Sequence, residues 1–316
     1  MKNGKRILGV DVSKATLDVF RLPEAESRQI LNTQAGVKRL ITELSLAPVD
    51  LVVLEATGGY QNLLVEELHS AAIPVKVANP RQIRDFARSL NRLGKTDSLD
   101  AKTIAEYAQS RELQGDVPRA PESIHLSRLL LRRNQLQGMI SAEKGHLEHA
   151  HKSFIAGIQE HLTLMGCLLT TVDKEIRGVI SSIPKYARAD NIMQSVPGIG
   201  PVVSATILAE LPELPVIGRK QAAALVGVAS FNRDSGRYRG KRHISGGRSK
   251  VRTVMYCAMR ACLRWNFAVK GWFDKFVGSG KPYKVAVIAC VRKLLTVLRA
   301  MLIDNSVWEP NRFHHA

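Results

Sequence analysis

The first hundred residues alternate short apolar runs with stretches of helical periodicity. The pattern predicts strands over 6–13, 16–22, 28–32, 51–54 and 74–77, and helices over 35–44, up to about 70, from 80 and from about 97. The run Leu51–Leu54 is apolar at every position, which is typical of a strand buried on both faces. The chain therefore predicts an α/β domain in its first third.

The order β-β-β-α-β-α-β-α matches an RNase H-like (RuvC-like) fold. Asp11 ends the first predicted strand, Glu55 ends the fourth, and Asp97 and Asp100 share one face of the last helix. Because the first and fourth strands of this fold are neighbours, we expect the four carboxylates to converge. Such a cluster requires hard divalent cations, and two ions about 4 Å apart would clamp a phosphodiester. Taken singly, each acid could equally cap a turn or a helix, or pair with an arginine.

A stripe of basic residues precedes the acidic helix. Its members are spaced at helical intervals and are Arg81, Arg84, Arg88 and Arg92, followed by Lys95. We predict that this face contacts phosphate groups, the alternative being a solvated charge stripe.

The middle of the chain predicts long helices from about residue 122 to 182. Leu126, Ile140, Leu147 and Phe154 fall on one heptad register. This pattern predicts either an irregular coiled coil that pairs two copies of the chain or a helical hairpin within one copy. Pro197-Gly198-Ile199-Gly200 then predicts a helix-hairpin-helix turn, with Gly198 and Gly200 letting backbone N–H groups approach a phosphate; plain helix packing is the alternative.

Charge is concentrated in the C-terminal third. The chain carries 46 Lys and Arg against 28 Asp and Glu, a formal net charge of +18, and residues 228–316 hold 18 of the basic residues but only 4 of the acidic ones. This asymmetry predicts an anionic partner, with nucleic acid favoured over a membrane surface. The densest segment, 233–252, is expected to bind phosphate through Arg233, Arg237, Arg239, Lys241 and Arg242. A serine among these guanidinium groups is also placed to attack phosphorus.

Other classes of protein are excluded by the composition. An apolar share of 45% argues against a disordered chain, and no apolar run is long enough to span a membrane. The N-terminus carries no signal-peptide pattern, so we expect a cytoplasmic protein. The four cysteines show no paired spacing and are expected to be buried.

Several motifs together resemble the DEDD transposases of the insertion sequence 110 family, of which the pilin-gene invertase is a cousin. They are Gly9-Val10-Asp11-Val12-Ser13-Lys14, Leu54-Glu55-Ala56-Thr57-Gly58-Gly59-Tyr60, Asn79-Pro80, Lys95-Thr96-Asp97-Ser98-Leu99-Asp100-Ala101, Pro197-Gly198-Ile199-Gly200, and Leu225-Val226-Gly227-Val228 followed by Ser235-Gly236. The likeness runs in order through most of the chain. It implies three parts: a RuvC-like catalytic domain over 1–115, a helical coiled-coil spacer over 116–187, and a mostly α-helical transposase domain over 188–316.

The resemblance also implies an activity. Such proteins are bacterial DNA recombinases, nucleoid-associated in the cytoplasm, that excise and insert a mobile element through a circular intermediate. Asp11, Glu55, Asp97 and Asp100 would hold Mg²⁺, two ions per site and replaceable by Mn²⁺, and a serine would form a 5′-phosphoserine link. The partners implied are double-stranded DNA (element ends, circular junction and target), a structured guide RNA, and further copies of the chain in a dimer or tetramer.

Two serines match the family motif for the nucleophile. Ser235 in Asp234-Ser235-Gly236 fits it best, and Ser245 in Ile244-Ser245-Gly246 is the rival. Two other activities remain open from the sequence: a RuvC-like junction resolvase or nuclease that uses water, and a nucleic-acid-binding protein without catalysis.

Overall fold

The computed structural model describes residues 5–92, 97–232, 234, 236, 238–240 and 242–310, and for residues 97–99 the backbone only. The chain divides into two compact units, Met1–Pro118 and Arg119–Ala316. The boundary between the units lies after residue 118, and the predicted end of the catalytic domain is residue 115.

The N-terminal unit is built on one mixed five-stranded sheet. Its strands are β1 (Ile7–Val12), β2 (Thr16–Leu22), β3 (Glu26–Leu31), β4 (Leu51–Glu55) and β5 (Val75–Ala78). They lie in the order β3-β2-β1-β4-β5. The first three strands are antiparallel neighbours, whereas β4 runs parallel to β1, and β5 runs parallel to β4. This order places the first and fourth strands side by side, as the sequence predicts, and the sheet with its helices resembles the RNase H-like fold.

Helices cover both faces of this sheet. They are α1 (Gln34–Leu46), α2 (Asn62–Ser70), α3 (Pro80–Ser89) and α4 (Asp97–Arg111). Alternation along the strands divides the buried side chains into two layers. Leu8 and Val10 pack in the layer with α1 and α2, whereas Ile7 and Val53 pack in the layer with α3 and α4. The central strands are buried on both faces, which explains the unbroken apolar run of β4.

The C-terminal unit begins with a helical hairpin. The two helices are α5 (Pro121–Glu148) and α6 (Ile155–Ser182), and they pack against each other within the chain. Arg133 Nε donates to Asp173 Oδ1 at 2.7 Å, and His161 Nδ1 lies 3.0 Å from Glu143 Oε1. The hairpin is the second of the two structures that the heptad pattern predicts, so the seam of Leu126 and Ile140 is buried inside one copy.

The rest of this unit is almost entirely helical. Its elements are α7 (Pro184–Gln194), α8 (Pro201–Glu210), α9 (Arg219–Val226), β6 (Ser230–Phe231), β7 (His243–Ile244), α10 (Ser249–Trp265), α11 (Phe267–Gly278) and α12 (Tyr283–Asp304). One hydrophobic core joins them, with α12 contributing the largest share of fully buried side chains. The strands β6 and β7 form a separate antiparallel pair.

Two of the four cysteines are buried and two are exposed. Cys262 and Cys290 are buried as predicted, and burial raises their thiol pKa values to about 12 and about 11. The prediction was wrong for Cys167 and Cys257, which are exposed because they lie on the solvent sides of α6 and α10.

Among the helices in the described part of the chain, none has the combination of length and hydrophobicity that a membrane-spanning helix requires.

Candidate active site

Two carboxylates end neighbouring parallel strands. Val10 of β1 pairs with Leu54 of β4, so Asp11 and Glu55, the next residue of each strand, lie at the same level of the sheet. Both follow the alternation that sends Ile7, Gly9, Leu51 and Val53 toward α3 and α4, and both are half-buried. The sequence prediction that these two acids meet on one face is therefore matched by the strand register.

The start of α4 lies at the same edge of the sheet. This helix crosses β1 so closely that a methyl group on Gly9 would lie 2.7 Å from the backbone nitrogen of Ala105. The chain after α4 reaches the opposite edge, where Asp116 N donates to Val75 O at 2.7 Å at the beginning of β5. Consequently α4 runs from the carboxyl ends of the parallel strands to their amino ends, and its first turn lies near Asp11.

The acids of α4 occupy that first turn. Asp97 is the first residue of the helix and precedes Ala101 by four positions, and Asp100 precedes Ile104 by four. Ala101 and Ile104 are fully buried against the sheet, so Asp97 and Asp100 share their side of the helix. Asp100 is half-buried, whereas the side chain of Asp97 lies outside the described residues.

Hydrogen bonds tie together the two loops that leave Asp11 and Glu55. Asn32 Nδ2 donates to Ser13 O at 2.8 Å and to Tyr60 O at 3.2 Å. The side-chain oxygen of Gln61 accepts from the backbone nitrogen of Thr57 at 3.2 Å and from that of Gly59 at 3.0 Å. These bonds fix the backbone immediately after each carboxylate, and the sequence patterns did not single out Asn32 or Gln61.

A further carboxylate on this face escaped the sequence analysis. Asp18 of β2 is the cross-strand partner of Asp11, so both side chains point to the same side of the sheet. Asp18 Oδ1 accepts a hydrogen bond from Gln29 Nε2 at 3.0 Å. Asp18 and the buried Phe20 are two positions apart on β2 and therefore share one face of the sheet. This spacing could have identified Asp18 from the sequence.

The chemistry of these donors fits a hard divalent cation. Asp11, Glu55 and Asp100 offer carboxylate oxygens, the ligands that Mg²⁺ prefers. Among the described residues, no group of three or more His, Cys, Asp or Glu side chains is placed to hold a metal ion, so Asp11, Glu55 and Asp100 do not by themselves form the predicted cluster. The side chain of the fourth predicted ligand, Asp97, lies outside that part of the structure.

The basic stripe begins at the carboxyl edge of the same sheet. Glu55 pairs with Ala78 at the end of β5, and Asn79 then caps α3 by accepting from Arg81 N at 2.9 Å. Along this helix the side chains of Arg81, Arg84 and Arg88 are exposed, and Arg88 lies 3.7 Å from Asp85.

The last two members of the stripe have different surroundings. Arg92 is half-buried and forms an ion pair with Glu106 of α4, so its guanidinium group links the end of the stripe to that helix. Lys95 lies outside the described residues.

The predicted serine loop connects β6 to β7. Ser235, Arg233, Arg237 and Lys241 lie outside the described residues. The rival Ser245 follows β7 and is exposed, as are Arg239 and Arg242. Arg239 Nη1 lies 3.4 Å from Asp234 Oδ2, and the side chain of Arg239 is 83% exposed to solvent.

Three cations at the end of the basic segment contact oxygen atoms of their own chain. Arg248 Nη2 lies 2.5 Å from Glu213 Oε1, Lys250 Nζ lies 3.1 Å from Glu210 Oε1, and Arg252 donates to Gly246 O at 2.5 Å. None of these three belongs to the five residues, Arg233, Arg237, Arg239, Lys241 and Arg242, that the sequence analysis assigns to phosphate, and that assignment stays a prediction.

The carboxylate of Glu210 contacts residues of two other helices in this unit. Burial raises the pKa of Glu210, but the hydrogen bond from Ser127 and the charge of Lys250 outweigh burial and hold the pKa below the usual carboxyl range. Lys250 therefore stabilises the charge of a carboxylate in its own chain.

The turn Pro197–Gly200 connects α7 to α8. Gly198 has a φ of +100°, and a methyl group there would lie 2.7 Å from the Cα atom of Cys262 in α10. Helix packing therefore requires this glycine, which is the alternative that the sequence left open. Gly200 faces open space at the N-terminus of α8, and its contact with nucleic acid stays a prediction.

An RNase H-like sheet with acids at the carboxyl ends of its central strands is typical of enzymes that cleave phosphodiesters. Residues 8–154 match the DEDD transposase family of insertion sequence 110, and residues 190–273 match the transposase family IS116/IS110/IS902. The two matches cover well over half of the chain, in order. The chain belongs to the insertion sequence 110 family of transposases, enzymes that cleave DNA and transfer its strands.

Curated relatives cover the chain almost end to end. The pilin gene-inverting protein of Moraxella bovis is 25% identical over 98% of this chain and 99% of its own length. The insertion element IS116 uncharacterized 44.8 kDa protein of Streptomyces clavuligerus is 23% identical over 90% of each chain. Among solved structures, T. thermophilus RuvC in complex with a Holliday junction substrate matches 35% of this chain and 99% of its own, with 11% identity and a TM-score of 0.28. That likeness is weak, and the fold assignment rests on the strand order.

Proposed function

We propose that this transposase is a Mg²⁺-dependent DNA recombinase that works through a covalent phosphoserine intermediate and is guided by RNA. The observation that carries the proposal is the placement of Asp11 and Glu55 at the ends of adjacent parallel strands, beside the first turn of α4. Carboxylate oxygens are the ligands that Mg²⁺ prefers in proteins.

The residues divide into two sets with different tasks. Asp11, Glu55, Asp97 and Asp100 would hold the metal. The chemistry supplied there by a bound pair of Mg²⁺ ions is charge stabilisation at the attacking and leaving oxygens of the phosphodiester. Asn32 and Gln61 hold the backbone that follows the two strand-end carboxylates, which limits the reorganisation needed when DNA binds.

Ser235 is the proposed nucleophile. Its Oγ atom loses a proton and forms a bond to phosphorus while the bond from phosphorus to the 3′ oxygen breaks. The 3′ oxygen takes up a proton and leaves as a hydroxyl, and the 5′ phosphate stays on the serine. Attack by the 3′ hydroxyl of another strand reverses the reaction and completes strand exchange. The neighbouring Arg239 and Arg242 are exposed and carry the positive charge that the phosphorane needs.

Nucleic acid is the proposed partner of the exposed arginines of α3. Charge reversal of Arg84 and Arg88 should weaken DNA binding and flatten its dependence on salt, because each phosphate contact releases counterions. A guide RNA that base-pairs with target and donor would leave sequence selection to the RNA, and it would explain why the basic surfaces need only recognise backbone phosphates. Binding of the gene's flanking transcript, measured beside a scrambled RNA of equal length, tests that part.

Self-association into a dimer or tetramer completes the proposal. Leu126 and Ile140 of the heptad register are buried within one copy, whereas Phe154 of the same register is 66% exposed. We propose that a second copy contacts the hairpin, whose exposed large apolar side chains also include Leu131, Met139, Leu164 and Leu168. Replacing these four by serine should shift the sedimentation coefficient toward that of a monomer, and an unchanged value would exclude this surface.

The test of the catalytic proposal separates serine from water as the nucleophile. Full-length protein is incubated with Mg²⁺, DNA that carries the element ends and the flanking transcript, and both nicks and protein–DNA adducts are recorded. We expect Ser235→Ala and Asp97→Asn to abolish both. Nicking that survives Ser235→Ala with no protein–DNA adduct would refute the serine mechanism and leave a RuvC-like nuclease or resolvase that uses water, whereas an adduct that survives would move the nucleophile to Ser245. Binding without cleavage under any condition would refute catalysis altogether.

A further inference from the structure

A cavity of about 710 Å³ lies in the C-terminal unit between the β6–β7 pair and the outer face of α12. Its apolar surface comes from Val228, Phe276 and Ile288, with Ile244 of β7 at its side. Lys284, Ile288 and Arg292 recur at intervals of four along α12 and therefore share the side of the helix that faces the cavity.

Five cations surround this cavity. They are Arg242, Lys281, Lys284, Arg292 and Lys293, and His243 lies beside them. Among the described residues, those that line it include no Asp or Glu. The ion pairs found in the described part of the chain involve none of the five, in contrast to Arg248 and Lys250 nearby.

Two of these lysines are placed over aromatic rings. Lys281 Nζ lies 4.5 Å from the centroid of the Phe276 ring, and Lys293 Nζ lies 4.4 Å from that of Trp272. Burial, together with the charge of Lys275, lowers the pKa of Lys293. Ring contacts orient the ammonium groups without a carboxylate partner, so these groups can form charge-assisted hydrogen bonds to an anion that enters the cavity.

We propose that this cavity, here called the α12 groove, binds the sugar–phosphate backbone of a nucleic acid strand. Cations along the groove match a row of phosphates, and Ile244 and Ile288 offer apolar surface to the sugars and bases between them. The groove contacts Ser230 and Arg242, the residues that flank the connection carrying Ser235. A strand held there would enter the region of the chain that bears the proposed nucleophile.

The charge pattern of the sequence contains the signal for this surface. Between Asp274 and Asp304 the chain has six Lys and Arg and no Asp or Glu. These cations are spread along the chain and do not form a dense run. Four of the six, Lys281, Lys284, Arg292 and Lys293, line the groove with Arg242, and only the fold brings them together.

The test neutralises two exposed cations of the groove, Lys284→Gln with Arg292→Gln, in the full-length chain. Binding of fluorescent single-stranded DNA, single-stranded RNA and duplex DNA of mixed sequence is titrated across a range of salt. For a single strand we expect the log–log salt slope to fall by about 1.4 and the affinity at about 0.1 M salt to fall roughly 25-fold. The matched control, Lys174→Gln with Lys185→Gln, removes the same charge from exposed positions of the same unit and should change the slope little.

The three probes distinguish DNA from RNA and a single strand from a duplex. The control shows whether a loss of binding is specific to the cations of the groove. Loss with one probe or more, without a matching loss in the control, supports the inference and tells DNA from RNA and single strand from duplex. Unchanged slopes with all three probes would overturn it. The inference rests on the proposed function only in naming nucleic acid as the partner. Wild-type binding with unchanged variant slopes would refute the groove alone, whereas a wild-type chain that binds none of the probes would refute both.

Discussion

Replacement of Gly9 by alanine tests how α4 positions the acids of the candidate active site. A methyl group at this position would lie 2.7 Å from Ala105 N and 2.9 Å from Ala105 Cβ, and closer still to the carbonyl oxygen of Ala101. Ordinary contacts begin at 3.4 Å, so α4 must move away from β1 by about 1 Å. The obstacle is helix backbone, which cannot rotate aside as a side chain can.

The displacement has two measurable consequences. Overpacking should lower the stability of the N-terminal unit by about 1–3 kcal/mol, read as faster hydrogen exchange in β1 and β4. Because Asp97 and Asp100 lie on the helix that moves, DNA cleavage should fall about 100-fold while DNA binding is retained. The control is Gly178→Ala, which meets open space in α6 and should stabilise that helix by about 0.5–1 kcal/mol. Cleavage and exchange unchanged by Gly9→Ala would refute the account of how α4 is placed.

Two further predictions concern the C-terminal unit. Glu210→Gln should destabilise it by about 1–3 kcal/mol at neutral pH, and Glu175→Gln, at an exposed position, should not. Since the folded pKa of Glu210 is lowered, its contribution is present above the ordinary carboxyl pKa and is lost as the pH falls through the lowered value, so urea unfolding of variant and wild type should converge in acid. Gly198→Ala should cost more than about 2 kcal/mol because of its positive φ and its contact with α10, whereas Gly200→Ala should cost under about 1 kcal/mol; equal thermal shifts would show that the turn is not held as described.

Local patterns were sufficient for the N-terminal sheet. Strand β2 has the predicted bounds. The apolar run of β4 predicts burial on both faces, and its residues Leu51–Leu54 are buried. Strand β3 begins at Glu26, two residues before the prediction, because its exposed residues lack the alternation that marks β2. We expect Asp11 and Glu55 to lie close together because the first and fourth strands of an RNase H-like sheet are neighbours. The register of β1 and β4, which places the two residues at the same level of the sheet, agrees with that expectation.

Contacts between distant segments account for what the sequence could not predict. The neighbour that makes Gly198 necessary is Cys262, more than sixty residues away along the chain. Arg248 belongs to a basic run, yet its partner Glu213 lies on an earlier segment that shows no complementary pattern. A heptad register cannot distinguish a partner helix in the same chain from one in another copy, because both bury the same positions.

Mass spectrometry of the trapped protein–DNA complex tests the central claim most directly. Full-length protein, Mg²⁺, DNA from its own gene flanks and the flanking transcript are mixed, and any adduct is mapped to a residue. The account predicts a 5′-phosphate on Ser235 that is absent from Ser235→Ala and from Asp97→Asn, and still present in Ser245→Ala. Metal-dependent nicks with no adduct on any serine would contradict it.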